Sequence, residues 1–186
     1  METLQAIRTR KSIAKVTSDQ PPRELIERLL DAAVQAPNHF RNRPWRFVVV
    51  TGKARERLGE VMAQSLAKRA PESTLAQLDA ERTRALRAPV LIAVGIDPPD
   101  QPKILEIENI CAGAAAVQNL LLAAHDLGLG AIWRTGAAAL DADVKAFLGF
   151  TPQHHLIAIV YVGYPDGEQT PPDRPPFHDR TIWLEE

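Results

Sequence analysis

The segment from Glu106 to Gly136 constrains the fold most, because it carries no charged side chain from Ile110 to Ala124. Larger apolar side chains recur there at intervals of three and four residues, which predicts one long helix with a continuous apolar face. Its other faces are also apolar or small, which is typical of a helix enclosed on most sides. Small residues crowd its middle, so we expect either a tight interior or a subunit contact. Polar Gln118 and Asn119 at its centre argue against a membrane span.

A short strand follows this helix and ends in a cation. Gly128 and Gly130 stop the helix, and the next apolar residues read as a strand that delivers Arg134 to its end. A cation after a buried helix and an apolar strand needs an anionic or aromatic partner. The sequence therefore predicts a binding site at the end of this strand.

Helices and strands interleave along the rest of the chain. Four apolar, β-branched runs predict strands, namely Arg46–Val50, Pro89–Asp97, Ala131–Arg134 and His155–Gly163. Two or three helices often separate them, so the pattern is not that of repeated βαβ units. We expect a mixed sheet wrapped by helices, in the α+β class, within a single domain over residues 1–186.

Composition excludes several classes of function. The 22 Lys and Arg residues balance 23 Asp and Glu residues, so no nucleic-acid partner is expected. The single Cys111 cannot form an internal disulfide, which favours the cytoplasm. Cys111 lies on the long helix and is interpreted as a small core residue, with a reactive thiol as the alternative.

Motifs for common chemistries are missing from the sequence. Gly128–Trp133 echoes a dinucleotide-binding motif, but it lacks the third glycine and follows a helix instead of opening one. The five histidines show no metal-ligand spacing, so no metal site is expected.

Three short segments carry candidate binding groups. Arg10, Lys11 and Ser12 present two cations and a hydroxyl that suit a phosphate, although a solvated helix end has the same composition. His39, on a donor-rich loop, either binds a heterocycle or is satisfied by the backbone. Trp133 is either a core residue or a surface against which a cofactor packs.

Taken in order, these segments resemble one family. The residues that carry the resemblance are R-x-R-K-S at Arg8–Ser12, APNH at Ala36–His39, RPW at Arg43–Trp45 and AAxxxGLGAIWRTG ending at Gly136. The chain resembles the nitroreductase-like flavoproteins, most closely their short bacterial branch of NAD(P)H nitroreductases, from Met1 to about Phe177. The resemblance implies a mainly antiparallel sheet and a homodimer with the long helix at its interface. It also implies a C-terminal arm, residues 165–186, that crosses to the partner subunit.

The resemblance also implies which residues bind the cofactors. Arg10, Lys11 and Ser12 correspond to residues that hold the phosphate and ribityl chain of FMN, and Trp133, Arg134 and Thr135 to residues that close on the flavin. Gln35 and His39 correspond to contacts made from the partner subunit, although Gln35 stands where close relatives carry a cation. The expected NAD(P) contact lies at the end of the long helix, at Ala123, Ala124, His125, Asp126, Leu127 and Gly128.

The implied activity is transfer of hydride from NADH or NADPH through flavin N5 to an electron-poor acceptor such as a nitroaromatic or a quinone. The flavin carries this chemistry, so no catalytic side chain is expected. Arg134 or a nearby backbone amide is the hypothetical donor that stabilises the reduced ring near N1 and C2. Two alternatives stay open: a different redox task (dehalogenation, enone reduction or flavin breakdown), or a flavin-binding or sensing protein without fast turnover, whose polar segment 53–87 covers the acceptor side.

Overall fold

The computed structural model describes residues 1–170 and 172–185. Within these residues the strands are β1 (Trp45–Thr51), β2 (Val90–Ile96), β3 (Gly130–Arg134) and β4 (His155–Gly163). The α-helices are α1 (Thr3–Thr9), α2 (Arg23–Ala33), α3 (Lys53–Arg69), α4 (Leu75–Arg84), α5 (Glu106–Asp126), α6 (Ala137–Leu140) and α7 (Ala142–Phe147). Short 3-10 turns lie at His39–Arg41 and His178–Arg180.

The strands form one sheet in the order β1-β2-β4-β3, and each neighbouring pair is antiparallel. All of β2 is buried, as its continuous apolar run predicts for a central strand. The predicted α+β class and the mainly antiparallel sheet are therefore confirmed.

Helices cover both faces of the sheet. Along β2, side chains alternate between the faces, so Ile92 packs in one core with Leu29 of α2 and Val117 of α5. Leu91 packs in the other core with Leu58 of α3 and Val144 of α7. The α4 helix packs mainly on α3. Residues on β3 can therefore face either of two different layers.

The long helix α5 is only partly enclosed in a single chain. Gly113 lies so close to the sheet that an added Cβ would sit 2.2 Å from Ile96 Cδ1. The opposite side of α5 is open, with Ile107 and Cys111 exposed. The interpretation of Cys111 as a core residue was wrong, because sequence periodicity does not distinguish an interior from a face that the chain itself leaves uncovered. The helix is long and apolar enough to span a membrane, but nearly half of its apolar window is buried inside the fold.

Two helix starts differ in their capping. The α2 helix begins after Pro22 without a side-chain cap, and the Asp19 carboxylate accepts a hydrogen bond from the Thr17 hydroxyl. The α4 helix is capped by the Thr74 side chain, and Leu75 at its first position is exposed.

The chain after α1 runs along the outer edge of β3. The Ile13 amide donates to the Ala131 carbonyl at 3.0 Å, and Val16 bridges Pro165 beyond β4. Gly130 permits this close approach, because a Cβ there would lie 2.8 Å from Ile13 Cγ2. This pairing brings the Arg10–Ser12 segment to the strand that carries Trp133 and Arg134.

Candidate functional site

Cationic groups gather at the end of α1. Arg174, in the C-terminal segment, donates hydrogen bonds to the Ile7 and Arg8 carbonyls at 3.0 Å each and also to the Arg10 carbonyl. Burial lowers the pKa of Arg10, and the nearby Arg174 guanidinium lowers it further. Lys11 follows directly and lies 3.5 Å from the Thr170 hydroxyl. Because these like charges repel one another, an anion bound among them would be stabilised.

Arg174 is a member of this cluster that sequence reasoning missed. It stands in a proline-rich stretch without helical or strand periodicity, so no pattern connected it with Arg10. The one available signal was its charge within the proline-rich C-terminal segment, which the resemblance assigns to an arm that crosses to the partner subunit. Ser12 is exposed beside the cluster and supplies a free hydroxyl.

The end of α5 lies against α1. His125 Nε2 is 2.8 Å from the Thr9 hydroxyl, and the Asp126 carboxylate forms an ion pair with the amino terminus. Burial lowers the pKa of His125, and Arg10 lowers it further. Of the six residues in the expected NAD(P) contact, Ala124 is buried and Leu127 packs on the core, while Asp126 and Gly128 are exposed.

His39 lies at the opposite end of α5. Its Nε2 is 3.7 Å from a Glu108 carboxylate oxygen, above a shallow depression of about 440 Å³ that Cys111 and Ala115 also line. The Asn38 side chain accepts a hydrogen bond from the Arg43 amide, and Phe40 has a φ of 50°, so the loop is held in a tight left-handed path. His39 is therefore held near the beginning of α5.

Gln35 occupies a different position again. It lines a depression of about 330 Å³ between α1, α2 and α5, with Ala6, Asn119 and Ala123 as neighbours. Its side-chain amide donates to the Asp31 carbonyl at 3.3 Å. The structure thus separates Gln35 from His39 within one chain.

The length of α5 separates His39 from the cationic cluster. Glu108, beside His39, and His125, beside Thr9 and Arg10, lie 17 positions apart on the same helix, a distance of about 25 Å. The structure brings Arg10, Lys11 and Ser12 to β3, but it does not bring His39 to them within one chain.

The three residues at the end of β3 point in different directions. The Trp133 indole donates to the Ile157 carbonyl at 2.9 Å and packs on the α5 side, so its ring is part of the core. The Arg134 guanidinium lies over the Tyr161 ring, 5.6 Å from its centroid, on the α3 side. This ring is the aromatic partner that the sequence required for Arg134. Thr135 is exposed.

In the described part of the chain, no group of three His, Cys, Asp or Glu side chains could hold a metal ion. The histidines near carboxylates belong to surface pairs such as His155 with Glu106 at 2.6 Å. What the site offers is cations, a hydroxyl and main-chain groups, which suit binding and orientation more than acid–base chemistry.

Comparisons with known proteins identify the family of the chain. The Nitroreductase family pattern matches residues 7–164, and the chain belongs to that family of oxidoreductases. YfhC of Bacillus subtilis, classed by name among NAD(P)H nitroreductases, is 32% identical over 177 residues, covering 94% of this chain and 90% of YfhC. A nitroreductase-like protein from Bacillus cereus superposes with a TM-score of 0.84 at 25% identity, covering 100% of this chain and 97% of the other. A nitroreductase from Desulfovibrio desulfuricans, solved in complex with FMN, gives 0.78 at 27% identity and covers 100% and 98%.

Proposed function

We propose that this protein is an FMN-dependent oxidoreductase that takes hydride from NADH or NADPH and passes it to an electron-poor acceptor such as a nitroaromatic or a quinone. Family membership and the FMN bound by the Desulfovibrio relative support the flavin. The observation that carries the proposal is the cationic cluster of Arg10, Lys11 and Arg174 against the edge of β3.

This cluster fits the phosphate of FMN. The lowered pKa of Arg10 reflects burial beside a second guanidinium, a cost that a bound phosphate would offset. Arg10 and Arg174 offer planar donors that match phosphate oxygens, and the Ser12 hydroxyl adds a neutral donor. We assign the phosphate and the ribityl chain to these groups and to Lys11.

When bound, FMN supplies the hydride chemistry, and the chain binds and orients it. The Trp133 ring is fixed by its hydrogen bond to the Ile157 carbonyl. At the end of β3 the flavin would therefore meet main-chain groups and not the Trp133 side chain. The Arg134 side chain turns toward Tyr161. We therefore give the role of stabilising the reduced ring to main-chain amides near Arg134 and Thr135, and not to the guanidinium.

We propose that a second copy of the chain completes the site. Exposed apolar residues are concentrated on α1, at the start of α5 and in the C-terminal segment, namely Leu4, Ile7, Leu105, Ile107, Phe177, Ile182, Trp183 and Leu184. Two α5 helices packed antiparallel about a two-fold axis would bring His39 of one copy to Arg10 of the other. Gln35 lies beside Asn119 and Ala123, near the other end of α5, so this packing would not bring it to the same flavin as His39. The C-terminal segment would cover part of this interface.

The nicotinamide donor is assigned to the end of α5. Asp126 and Gly128 are the exposed members of the segment Ala123–Gly128, so they are the residues that a donor reaches first. His125 already bonds to Thr9 of α1, and Asp126 pairs with the amino terminus, which limits the donor to the outer side of this helix end.

An absorption spectrum tests this proposal. The purified protein should be yellow, and NADPH or NADH should bleach it without oxygen. A colourless protein that refuses added FMN would refute the proposal. A yellow protein that neither donor bleaches would be a flavin-binding protein without turnover. A panel of acceptors would then distinguish nitroaromatic and quinone reduction from dehalogenation or enone reduction.

A further inference from the structure

A second cluster of cations lies on the other face of the sheet. A cavity of about 200 Å³ at the end of β3 is lined by Arg84, Arg87 and Arg134, together with Tyr161, Met62 and Ile159. Tyr161, Met62 and Ile159 belong to the core on the α3 side, whereas α5 packs on the opposite face. The arginine cavity therefore lies on the face of the sheet opposite α5 and shares no residue with the cluster around Arg10. Thr135 and Gly136 also line it, next to the main chain that we assign to the flavin ring.

The cavity carries excess positive charge. Arg84 pairs with the buried carboxylate of Glu81 at 2.8 Å. Within residues 1–170 and 172–185, no carboxylate lies within ion-pair distance of Arg87 or Arg134. Three guanidiniums against one carboxylate leave two positive charges uncompensated. Burial raises the pKa of Tyr161, and the charge of Glu81 raises it further. The charges of Arg134, Arg87 and Arg84 lower it, so all four charged groups lie near this phenol.

Arg134 has an unfilled donor. Its Nε is buried and, among the described residues, has no hydrogen-bond partner. Leaving a charged donor unpaired is costly, and such a group in a native fold calls for a ligand or an explanation. The Tyr161 ring beneath the guanidinium holds it in a defined orientation. Arg134 is therefore positioned to donate a hydrogen bond to an anion.

The size of the cavity limits the anion. A space of about 200 Å³ holds a phosphate group but not a whole nucleotide. A groove of about 660 Å³ between α3 and α4 adjoins it and shares Arg84 and Ala137 as lining residues. A ligand could therefore place a phosphate in the cavity and its remainder in the groove.

We propose that the arginine cavity binds a phosphomonoester dianion, as a second anion site beside the flavin phosphate site. Two uncompensated positive charges match a dianion, and guanidinium forks match its oxygens. This site does not depend on the proposed redox activity. The phosphate either belongs to the nicotinamide donor, as the 2′-phosphate of NADPH, or is a free phosphate.

Calorimetric titration with inorganic phosphate tests the proposal. The protein as purified, with FMN saturating its own site, should bind phosphate, and Arg87→Gln and Arg84→Gln should each weaken binding about tenfold or more, because each removes a charged hydrogen bond. Arg82→Gln is the matched control, since it removes a guanidinium from the same helix that pairs with Glu60 and Asp79 outside the cavity. Its phosphate binding should equal that of the wild type.

Two results would overturn the proposal. The first is an absence of phosphate binding in the wild type, and the second is equal binding by Arg87→Gln and the wild type. If the purified protein does not bind FMN, the phosphate titration can still be carried out. Arg84 and Arg87 line this cavity and are not part of the cluster around Arg10, so their variants report on phosphate binding here. If Arg87→Gln lost FMN together with phosphate, the cavity would be the flavin phosphate site and the claim of a second site would fail.

Donor kinetics identify the source of the phosphate. If it is the 2′-phosphate, Arg87→Gln should raise the KM for NADPH about tenfold and leave the KM for NADH unchanged. If it is free phosphate, both KM values should stay unchanged while the titration still separates Arg87→Gln from the wild type. Either pattern supports the site.

Discussion

The two ends of α5 differ in how much of their surroundings comes from the same chain. At the C-terminal end, His125 bonds Thr9, Asp126 pairs with the amino terminus, and Arg174 reaches back to the Arg10 carbonyl. At the N-terminal end, Ile107 and Cys111 are exposed, and the exposed His39 lies 3.7 Å from a Glu108 carboxylate oxygen and packs on the Phe40 ring.

This difference indicates which half of the candidate site is formed by a single chain. The cationic half is assembled by α1, β3 and the C-terminal segment of the same chain. The half around His39 has an open apolar side and, by our proposal, is completed by a partner. The candidate flavin site then consists of two half-sites from two chains, and substitutions can disturb either half separately.

The largest effect should come from a charge placed on the open side of α5. Ala115 lines the depression beside His39, and a glutamate there would be buried unpaired between two copies. Ala115→Glu should give a monomer and weaken FMN binding more than about hundredfold, since an unpaired buried charge costs about 3–5 kcal/mol. Size-exclusion chromatography with flavin fluorescence measures both.

The matched control is Ala76→Glu, which adds the same charge to an exposed position on α4. It should remain dimeric and yellow. If Ala115→Glu also kept its oligomeric state and its FMN, the open side of α5 would not be an interface.

The next effect concerns the cationic end. Arg10→Gln combined with Arg174→Gln should weaken FMN binding about hundredfold, because each charged hydrogen bond contributes about 1.5–3 kcal/mol. Lys15→Gln is the control, since Lys15 is an exposed cation nearby that pairs with Asp166 at 2.8 Å. Fluorescence quenching of FMN gives the affinities, and equal affinities for the double variant and the control would remove Arg10 and Arg174 from the site.

His39→Ala should have a smaller effect. One hydrogen bond to the flavin is lost, which predicts about tenfold weaker FMN binding at an unchanged oligomeric state. His154→Ala serves as the control, because His154 contacts Asp97 at 3.2 Å and does not line the depression beside His39. Unchanged FMN affinity in His39→Ala would mean that the N-terminal end of α5 takes no part in binding.

The smallest effect is the titration of His125. Its pKa is lowered in the fold, so the folded state favours the neutral ring, and its contribution to stability is present above the unfolded value of about 6.5 and is lost as the pH falls below it. Because Arg10 contributes to the lowering, an FMN phosphate beside Arg10 should raise the pKa of His125. NMR titration with and without FMN measures this shift, with His125→Gln to identify the signal. An unchanged or lower pKa would place the phosphate elsewhere.

Much of the scaffold follows from the sequence because its signals are local. Apolar, β-branched runs predicted the strands, the apolar period predicted α5, and Gly128 predicted where that helix ends. The sequence also predicted that Arg134 needs an aromatic or anionic partner, and the Tyr161 ring is such a partner.

What could not be predicted depends on contacts between distant residues or between chains. Cys111 has the same neighbours in sequence whether α5 is buried by its own chain or by another. Arg174 joins Arg10 through a segment without periodicity. Arg84 and Arg87 look like ordinary solvated arginines of a polar helix until the fold places Arg134 beside them.

Subunit mixing tests whether the flavin site is shared between two chains. Chains carrying Arg10→Gln and Arg174→Gln lack one half-site, and chains carrying His39→Ala have a weakened other half-site. When the two are co-expressed, each mixed dimer should contain one intact site, so about a quarter of all sites should bind FMN with wild-type affinity and be bleached by NADPH, whereas neither parent has such a site. If mixing restored no tight site, the flavin would not lie between the two ends of α5 from two chains.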